Sequence, residues 1–237
     1  MSDPILAIED LRIEARSEHE SQVKTIVEGV NLTLQQGEVL GLIGESGAGK
    51  STIGLAALGY TRAGCVIAGG KIMFKGKDIR ALSLDQRRQL RGRRVAYIAQ
   101  SAAASFNPAK RLYRQICEGP VRHGLMDYDQ ARSEAVQLFR ELDLPSPETF
   151  GERFPHQVSG GQLQRAMAAM AMSCKPDLLV LDEPTRGIDP DRKAALAAWL
   201  LEQAEAGRGV LVATHDPLLP AHQRVRLDAP MEVPVAA

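Results

Sequence analysis

The stretch Val39-Leu40-Gly41-Leu42-Ile43-Gly44-Glu45-Ser46-Gly47-Ala48-Gly49-Lys50-Ser51-Thr52 decides the fold. Val39 to Ile43 is a near-continuous apolar run, as expected of a parallel strand covered on both faces. A Gly-rich loop follows at once, and a helix is expected from Ser51 toward Tyr60. Glycines let successive backbone N–H groups turn inward at little steric cost, which makes a concave cradle for phosphate oxygens. The positive end of the following helix adds to it. In such a cradle Lys50 reaches the β- and γ-phosphates of a nucleotide, and the Ser51 hydroxyl ligates Mg²⁺.

Working outward, further apolar runs repeat the strand pattern. Ala7–Ile13 and Val30–Leu34 read as strands, with a turn at Gln36-Gly37. Gly69–Gly76 reads as a peripheral hairpin. Val95–Ala99, Leu178–Asp182 and Val210–Thr214 read as buried core strands. From about residue 101 to 157 the pattern is mostly helical. In Asp129–Leu142 the apolar positions Ala131, Ala135, Leu138 and Leu142 recur at three- and four-residue steps, with Asp129 as the expected N-cap. Asp191–Ala206 is an Ala- and Leu-rich helix stopped by Gly207. The expected fold is α/β: a phosphate-loop NTPase core with a mainly parallel sheet, an antiparallel β-subdomain and an inserted helical subdomain. The 237 residues are expected to form a single domain, with the helical insertion running from about 101–157 on to 174.

The composition narrows the function classes. Formal net charge is 0, whereas nucleic-acid binders usually carry a basic face, so no nucleic-acid partner is expected. One basic run, Arg87, Arg88, Arg91, Arg93 and Arg94, reads as a solvated helix face. No apolar run approaches the ~20 residues that cross a bilayer, and Met1–Asp10 lacks signal-peptide character, so a cytoplasmic chain is expected. Cys65, Cys117 and Cys174 fit neither a disulfide framework nor a Cys-x-x-Cys metal site and read as reduced thiols. The five histidines show no metal-ligand spacing.

Gly44-x-x-x-x-Gly49-Lys50-Ser51 satisfies the P-loop pattern in the right context, and Gly44, Glu45, Ser46, Gly47, Ala48, Gly49, Lys50, Ser51 and Thr52 form the candidate nucleotide-binding set. Asp182 ends an apolar strand where a carboxylate holds Mg²⁺ directly or through water. Glu183 follows it into the same cleft. Kinases, GTPases, motor proteins and DNA translocases share these parts. Four further positions separate them: Gln100 at the end of its strand, the turn Ser159-Gly160-Gly161-Gln162, Arg186-Gly187-Ile188-Asp189, and His215 after the strand Val210–Thr214. A lone histidine there would by default be a packing residue.

With this ordered set, from roughly Ile5 to Asp216, the chain resembles the ATP-binding subunit of an ATP-binding cassette (ABC) transporter. The resemblance implies ATP and Mg²⁺ as cofactors, with Ser51, Gln100 and Asp182 toward the metal. It implies Glu183 as the residue that polarises the attacking water, with His215 as the γ-phosphate switch and Gln100 as its sensor. Asp189 falls at the D-loop aspartate. The signature turn adds a second phosphate-binding surface: a Ser159 hydroxyl, N–H groups at Gly160 and Gly161, and the positive end of a helix expected over Gln162–Ser173. In the family this turn closes over ATP held by another cassette, so a homo- or heterodimer is implied. The other implied partners are transmembrane permease subunits and, indirectly, an extracytoplasmic solute-binding protein. The implied location is peripheral, on the inner face of the cell membrane.

Within the family the wording is closest to peptide, opine and nickel importers. Gly44-Glu45-Ser46-Gly47, Gln100-Ser101-Ala102-Ala103-Ala104-Ser105-Phe106-Asn107-Pro108 and Phe154-Pro155-His156-Gln157-Val158-Ser159-Gly160-Gly161-Gln162 carry that likeness. A soluble cassette associated with a metabolic enzyme complex, such as that of C–P lyase, shares much of it and is the alternative. DNA-repair and chromosome-structure ATPases are disfavoured, since no long coiled-coil insertion is visible. Three departures stand out. Ala15 occupies the region of the usual adenine-stacking aromatic, leaving His19 or Arg16 to hold the base, or little base selectivity. Gly187-Ile188-Asp189 replaces Ala-Leu-Asp. The strands beyond His215 are shortened, and without a Cys-rich C-terminal extension no iron–sulfur cluster is expected.

Overall fold

A computed structural model describes residues 3–16, 23–185 and 190–227. They divide into two compact units, one made of the described residues up to 87 and from 180 on, the other of residues 88–179. Arg186–Asp189, His19 and the tail beyond 227 lie outside the described residues.

In the first unit, β1 (Leu6–Arg16) pairs antiparallel with β2 (Val23–Leu34) on one side and β4 (Cys65–Phe74) on the other. The two-residue β5 (Lys77–Asp78) completes the order β2-β1-β4-β5. Leu6, Ile8, Leu11 and Ile13 of β1 are all buried, although strict alternation would turn Leu11 outward. A bulge restores the phase: Ile8 pairs with Leu32 but Leu11 with Val30, so β1 spends one more residue than β2. Asp10 absorbs the extra residue at φ +47°. A Cβ on Gly70 would lie 2.4 Å from the Asp10 carbonyl oxygen, so the neighbouring strand needs glycine there.

The second sheet is the parallel one. β3 (Val39–Gly44) lies between β8 (Gly209–Thr214) and β9 (Gln223–Leu227), parallel to both, with β7 (Leu178–Asp182) beyond β8. Every residue of β7 and β8 is buried, which is why both read as unbroken apolar runs. β9 ends the order with exposed Gln223, Arg224 and Arg226, charges that discourage further strand pairing. Helices α1 (Lys50–Ala56) and α9 (Pro190–Glu205) belong to this unit; α1 begins one residue earlier and ends four residues sooner than expected. Gly207, at φ +84°, follows α9.

The chain enters the second unit through α2 (Leu84–Leu90), which buries none of its residues, and then β6 (Val95–Ile98). Short helices α3 (Ala102–Ser105), α4 (Leu112–Ile116) and α5 (Glu118–Arg122) precede the longer α6 (Tyr128–Glu141). α7 (Pro147–Phe150) and α8 (Gly160–Met172) complete the unit. Two readings are corrected. The cap of α6 is Asp127, not Asp129: its carboxylate accepts from Gln130 N at 2.8 Å while Gln130 Oε1 accepts from Asp127 N at 3.0 Å. The α6 core face carries Phe139 in place of Leu142, which is only half-buried. Pro147 is the first residue of α7.

Tyr113, Phe139 and Phe150 form the aromatic centre of this unit, with ring centroids 5.8 and 5.1 Å apart along the chain of contacts. Gly151 lets the Tyr113 ring in, since a Cβ there would lie 2.5 Å from ring carbons. Gly151→Ala is therefore expected to lower unfolding free energy by about 1–3 kcal/mol through overpacking. Chemical denaturation of the purified chain checks this.

Candidate functional site

The loop after β3 is shaped by steric exclusion. A Cβ on Gly44 would stand 2.5 Å from the Leu227 carbonyl oxygen of β9, and one on Gly49 2.7 Å from Val27 Cγ2 of β2. Gly47 and Gly49 sit at φ +92° and +85°, a region costly for other residues. Ala48 is buried, while Glu45, Ser46 and Gly47 are exposed. The loop is thus pinned at its ends and open at its crest. α1 starts at Lys50 without a side-chain cap, leaving its first backbone donors facing the loop's mouth. Thr52 is half-buried in the first turn of α1.

Lys50 is the most enclosed cation of the site, 5% exposed. Its ammonium donates to the carbonyls of Gly44 and Glu45, each at 2.8 Å, and stands 3.4 Å from Glu183 Oε1. Beside it the Ser51 hydroxyl donates to Asp182 Oδ1 at 2.6 Å. Strand β7 delivers Asp182 as its last, buried residue. Glu183 follows at φ +47°, a left-handed turn that non-glycine residues seldom adopt. Its N–H donates to the Ala213 carbonyl of β8 at 2.8 Å, which helps hold that conformation. His215, just past β8, approaches the other carboxylate oxygen: Nδ1 lies 2.6 Å from Glu183 Oε2, and the His215 N–H donates to the same oxygen at 3.3 Å. Glu183 thereby joins Lys50 to His215, one oxygen for each.

A supporting network was not anticipated from sequence. The hydroxyls of Thr185 and Thr214 are 3.2 Å apart in the core, and Thr214 Oγ1 accepts from Asp216 N at 3.0 Å. Lys193 of α9 donates to Asp216 Oδ2 at 3.0 Å. The hydrogen bond from Lys193 holds the Asp216 carboxyl below its ordinary range. These contacts clamp the two residues flanking His215. The visible signal was Thr214, a polar residue ending an otherwise apolar strand.

The remaining candidates lie in the second unit. Gln100 is exposed, two residues past β6. Ser159 caps α8: its oxygen accepts from Gln162 N at 3.2 Å while Gln162 Oε1 accepts from Ser159 N at 3.1 Å. The helix begins at Gly160, two residues before the expected start. Both Ser159 and Gly160 are exposed, and among the described residues a Cβ added at Gly160 would meet nothing within 4 Å. Ala15 pairs with Lys24 and Cys65 across its two neighbouring strands. Cys117 and Cys174 are buried, and burial pushes the Cys117 thiol up to about 11, so it stays protonated at neutral pH. Among the described residues no helix is long and apolar enough to cross a membrane.

Comparison with known proteins places this arrangement. The chain is 36% identical over 210 residues to the dipeptide transport ATP-binding protein DppD of Escherichia coli, covering 87% of this chain and 64% of that one. It is 35% identical over 216 residues to the oligopeptide transport ATP-binding protein OppD of the same organism, covering 91% and 63%. It therefore spans under two thirds of the length of these curated relatives. The dimeric structure of the ATP-binding cassette MJ0796, bound to ADP and Pi, shares the fold at 21% identity, with a TM-score of 0.81 over 94% of each chain. That of cbiO1 from Clostridium perfringens, part of the ABC transporter complex cbiONQ, gives 0.73 at 26% identity, over 91% of this chain and 80% of that one. The model of the ABC transporter family matches residues 27–186, and on that match the chain belongs to this family.

Proposed function

We propose that this chain is the ATP-hydrolysing subunit that energises an importer of peptides or related small solutes. The observation that carries the reading is Glu183, held between Lys50 at 3.4 Å and His215 at 2.6 Å beside the glycine loop. A carboxylate so placed at a phosphate cradle has the position of a water-polarising base. The names of the relatives, dipeptide and oligopeptide transport proteins, support peptides as the transported class.

In this reading the N–H groups of Gly44–Thr52 take the β- and γ-phosphates of ATP. Lys50 exchanges its contact with Glu183 for phosphate oxygens, which releases Glu183 Oε1 to accept a proton from water. His215 keeps its grip on Oε2, so the released carboxylate stays oriented. Ser51 and Asp182 offer hard oxygen donors, the set that suits Mg²⁺, and Gln100 is assigned to the same ion. The ion, when bound, neutralises charge developing on the phosphates. Asp189 is assigned to the contact between two cassettes.

The turn Ser159-Gly160-Gly161-Gln162 is assigned to the nucleotide of a second cassette. Ser159 uses its oxygen as a cap acceptor, which leaves the hydroxyl proton free to donate. Among the described residues nothing requires glycine at 160, where φ is ordinary and the space is open. An incoming phosphate would require it, because close backbone approach tolerates no Cβ. Gly160→Ala is therefore expected to keep the unfolding midpoint and ATP affinity of the isolated chain. Phosphate release by the assembled complex should fall by about tenfold or more, on the scale of losing one transition-state donor. Parent-like phosphate release by that variant would remove the turn from the reaction. We assign the chain to the cytoplasmic face of the membrane, on permease subunits fed by a solute-binding protein, and read residues 1–237 as one ATPase domain with a helical subdomain.

A further inference from the structure

The side chains of the phosphate site are not held alike. Lys50 and Glu183 are enclosed, at 5% and 13% exposure, whereas the His215 side chain is 58% exposed. An exposed ring changes rotamer freely unless something holds it. The direction of this imidazole therefore depends on its contact with Glu183 and on the backbone that carries it.

That backbone is tied on both sides. Before His215, the buried Thr214 hydroxyl lies 3.2 Å from that of Thr185, two residues past Glu183. After it, Asp216 makes three bonds. Its N–H donates to Thr214 Oγ1, its Oδ1 accepts from Leu218 N, and its Oδ2 accepts from Lys193 Nζ of α9, each at 3.0 Å. The first two stay within residues 214–218 and shape the turn. The third ties the turn to another element. The hydrogen bond from Lys193 also holds the Asp216 carboxyl below its ordinary range, so it is a full carboxylate at neutral pH.

We infer that Lys193 is a positioning residue for ATP hydrolysis: through Asp216 it fixes the turn that carries His215, and so keeps the imidazole on Glu183 Oε2. The inference rests on the ATPase reading of the site. His215 orients the Glu183 carboxylate at 2.6 Å only while its own backbone cannot drift. A displacement of about 1 Å at a reacting group costs up to about 100-fold in rate. The same ion pair does little for folding, because Lys193 is 43% exposed and such pairs add little stability. A large effect on turnover is thus paired with a small one on stability.

The test measures phosphate release by the assembled complex across ATP concentrations. Lys193→Met keeps the aliphatic stem and loses the ammonium. It is expected to lower kcat by about tenfold or more with KM for ATP within about threefold, since Lys50 and the glycine loop are untouched. The thermal midpoint should move by no more than about 4 °C. Lys193→Arg, which can still donate to Asp216, should return kcat to within about threefold of the parent. Asp216→Asn should lose kcat as Lys193→Met does, and the double variant should fall no further than the worse single one. Glu134→Gln, which removes an exposed 3.0 Å ion pair with Lys175 in the helical unit, should leave kcat unchanged. In ¹H–¹³C spectra of the full chain with labelled histidines, the His215 ring signal, assigned by its loss in His215→Gln, should move in Lys193→Met and return in Lys193→Arg. The signals of His123 and His156 should stay in place. Parent-like kcat in Lys193→Met, additive losses in the double variant, no rescue by arginine, or an unmoved His215 signal would overturn the inference. Glu183→Gln on the same preparation keeps the two readings apart. If it stops phosphate release and Lys193→Met does not, only the role of Lys193 falls; if it leaves release at the parent rate, the ATPase reading falls and this inference with it.

Discussion

Glu183→Gln binds ATP as tightly as the parent chain, or more tightly, and releases phosphate at least about 100-fold more slowly, the scale of losing a positioned general base. The geometry isolates the chemical effect. Gln and Glu have the same shape, so the left-handed turn at φ +47° and the N–H bond to the Ala213 carbonyl persist. The amide oxygen can still accept from the His215 N–H. What is lost is a carboxylate able to take a proton from water. Affinity has reason to rise, because the Glu183 charge 3.4 Å from Lys50 Nζ competes with phosphate for that ammonium. Nucleotide binding by fluorescence titration, together with phosphate release by the assembled complex, separates the two effects. Parent-like turnover would remove Glu183 from the assigned role.

Lys50→Ala fails one step earlier: ATP affinity falls by about 100-fold or more. A hydrogen bond to a charged group contributes about 1.5–3 kcal/mol, and this ammonium has more than one phosphate oxygen to reach. The loop suffers as well. Lys50 Nζ ties the carbonyls of Gly44 and Glu45 at 2.8 Å each, so its loss frees the crest of the cradle. It also leaves Glu183, 13% exposed at its side chain, without its nearest cation. Because Lys50 is 5% exposed, the change also opens a cavity at the base of the loop. Calorimetric titration of the isolated variant with Mg-ATP measures the outcome, and unchanged affinity would reject the phosphate-loop assignment.

The central strands were legible because they are buried on both faces, which makes composition alone diagnostic. Val39–Gly44, Leu178–Asp182 and Gly209–Thr214 all appear where the apolar runs lie. The N-terminal half of β2 was not legible: Val23–Gly29 alternates with exposed polar residues on an edge strand, and only the apolar end, Val30–Leu34, announced itself. The α6 cap was misplaced because Asp127 and Asp129 both precede the apolar repeat. Only the reciprocal bonding with Gln130 distinguishes them.

For the site, sequence order placed Lys50, Ser51, Asp182, Glu183 and His215 at the ends of strands, and the parallel sheet brings those ends together. It could not show that Glu183 reaches Lys50 and His215 at once, or that its backbone adopts a left-handed turn. Nor could it show the Thr185, Thr214, Asp216 and Lys193 clamp, whose members are far apart in the chain and have no motif spacing. The requirement for glycine at 44 comes from the Leu227 carbonyl, and no local pattern predicts that contact.

Affinity purification of the tagged chain from native membranes, with identification of everything that co-purifies, decides whether this ATPase serves a membrane importer. Transmembrane permease chains and an ATP-binding cassette are expected in stable association, with phosphate release that disappears when the subunit carries Glu183→Gln. Recovery with soluble metabolic enzymes and no membrane chain would contradict it.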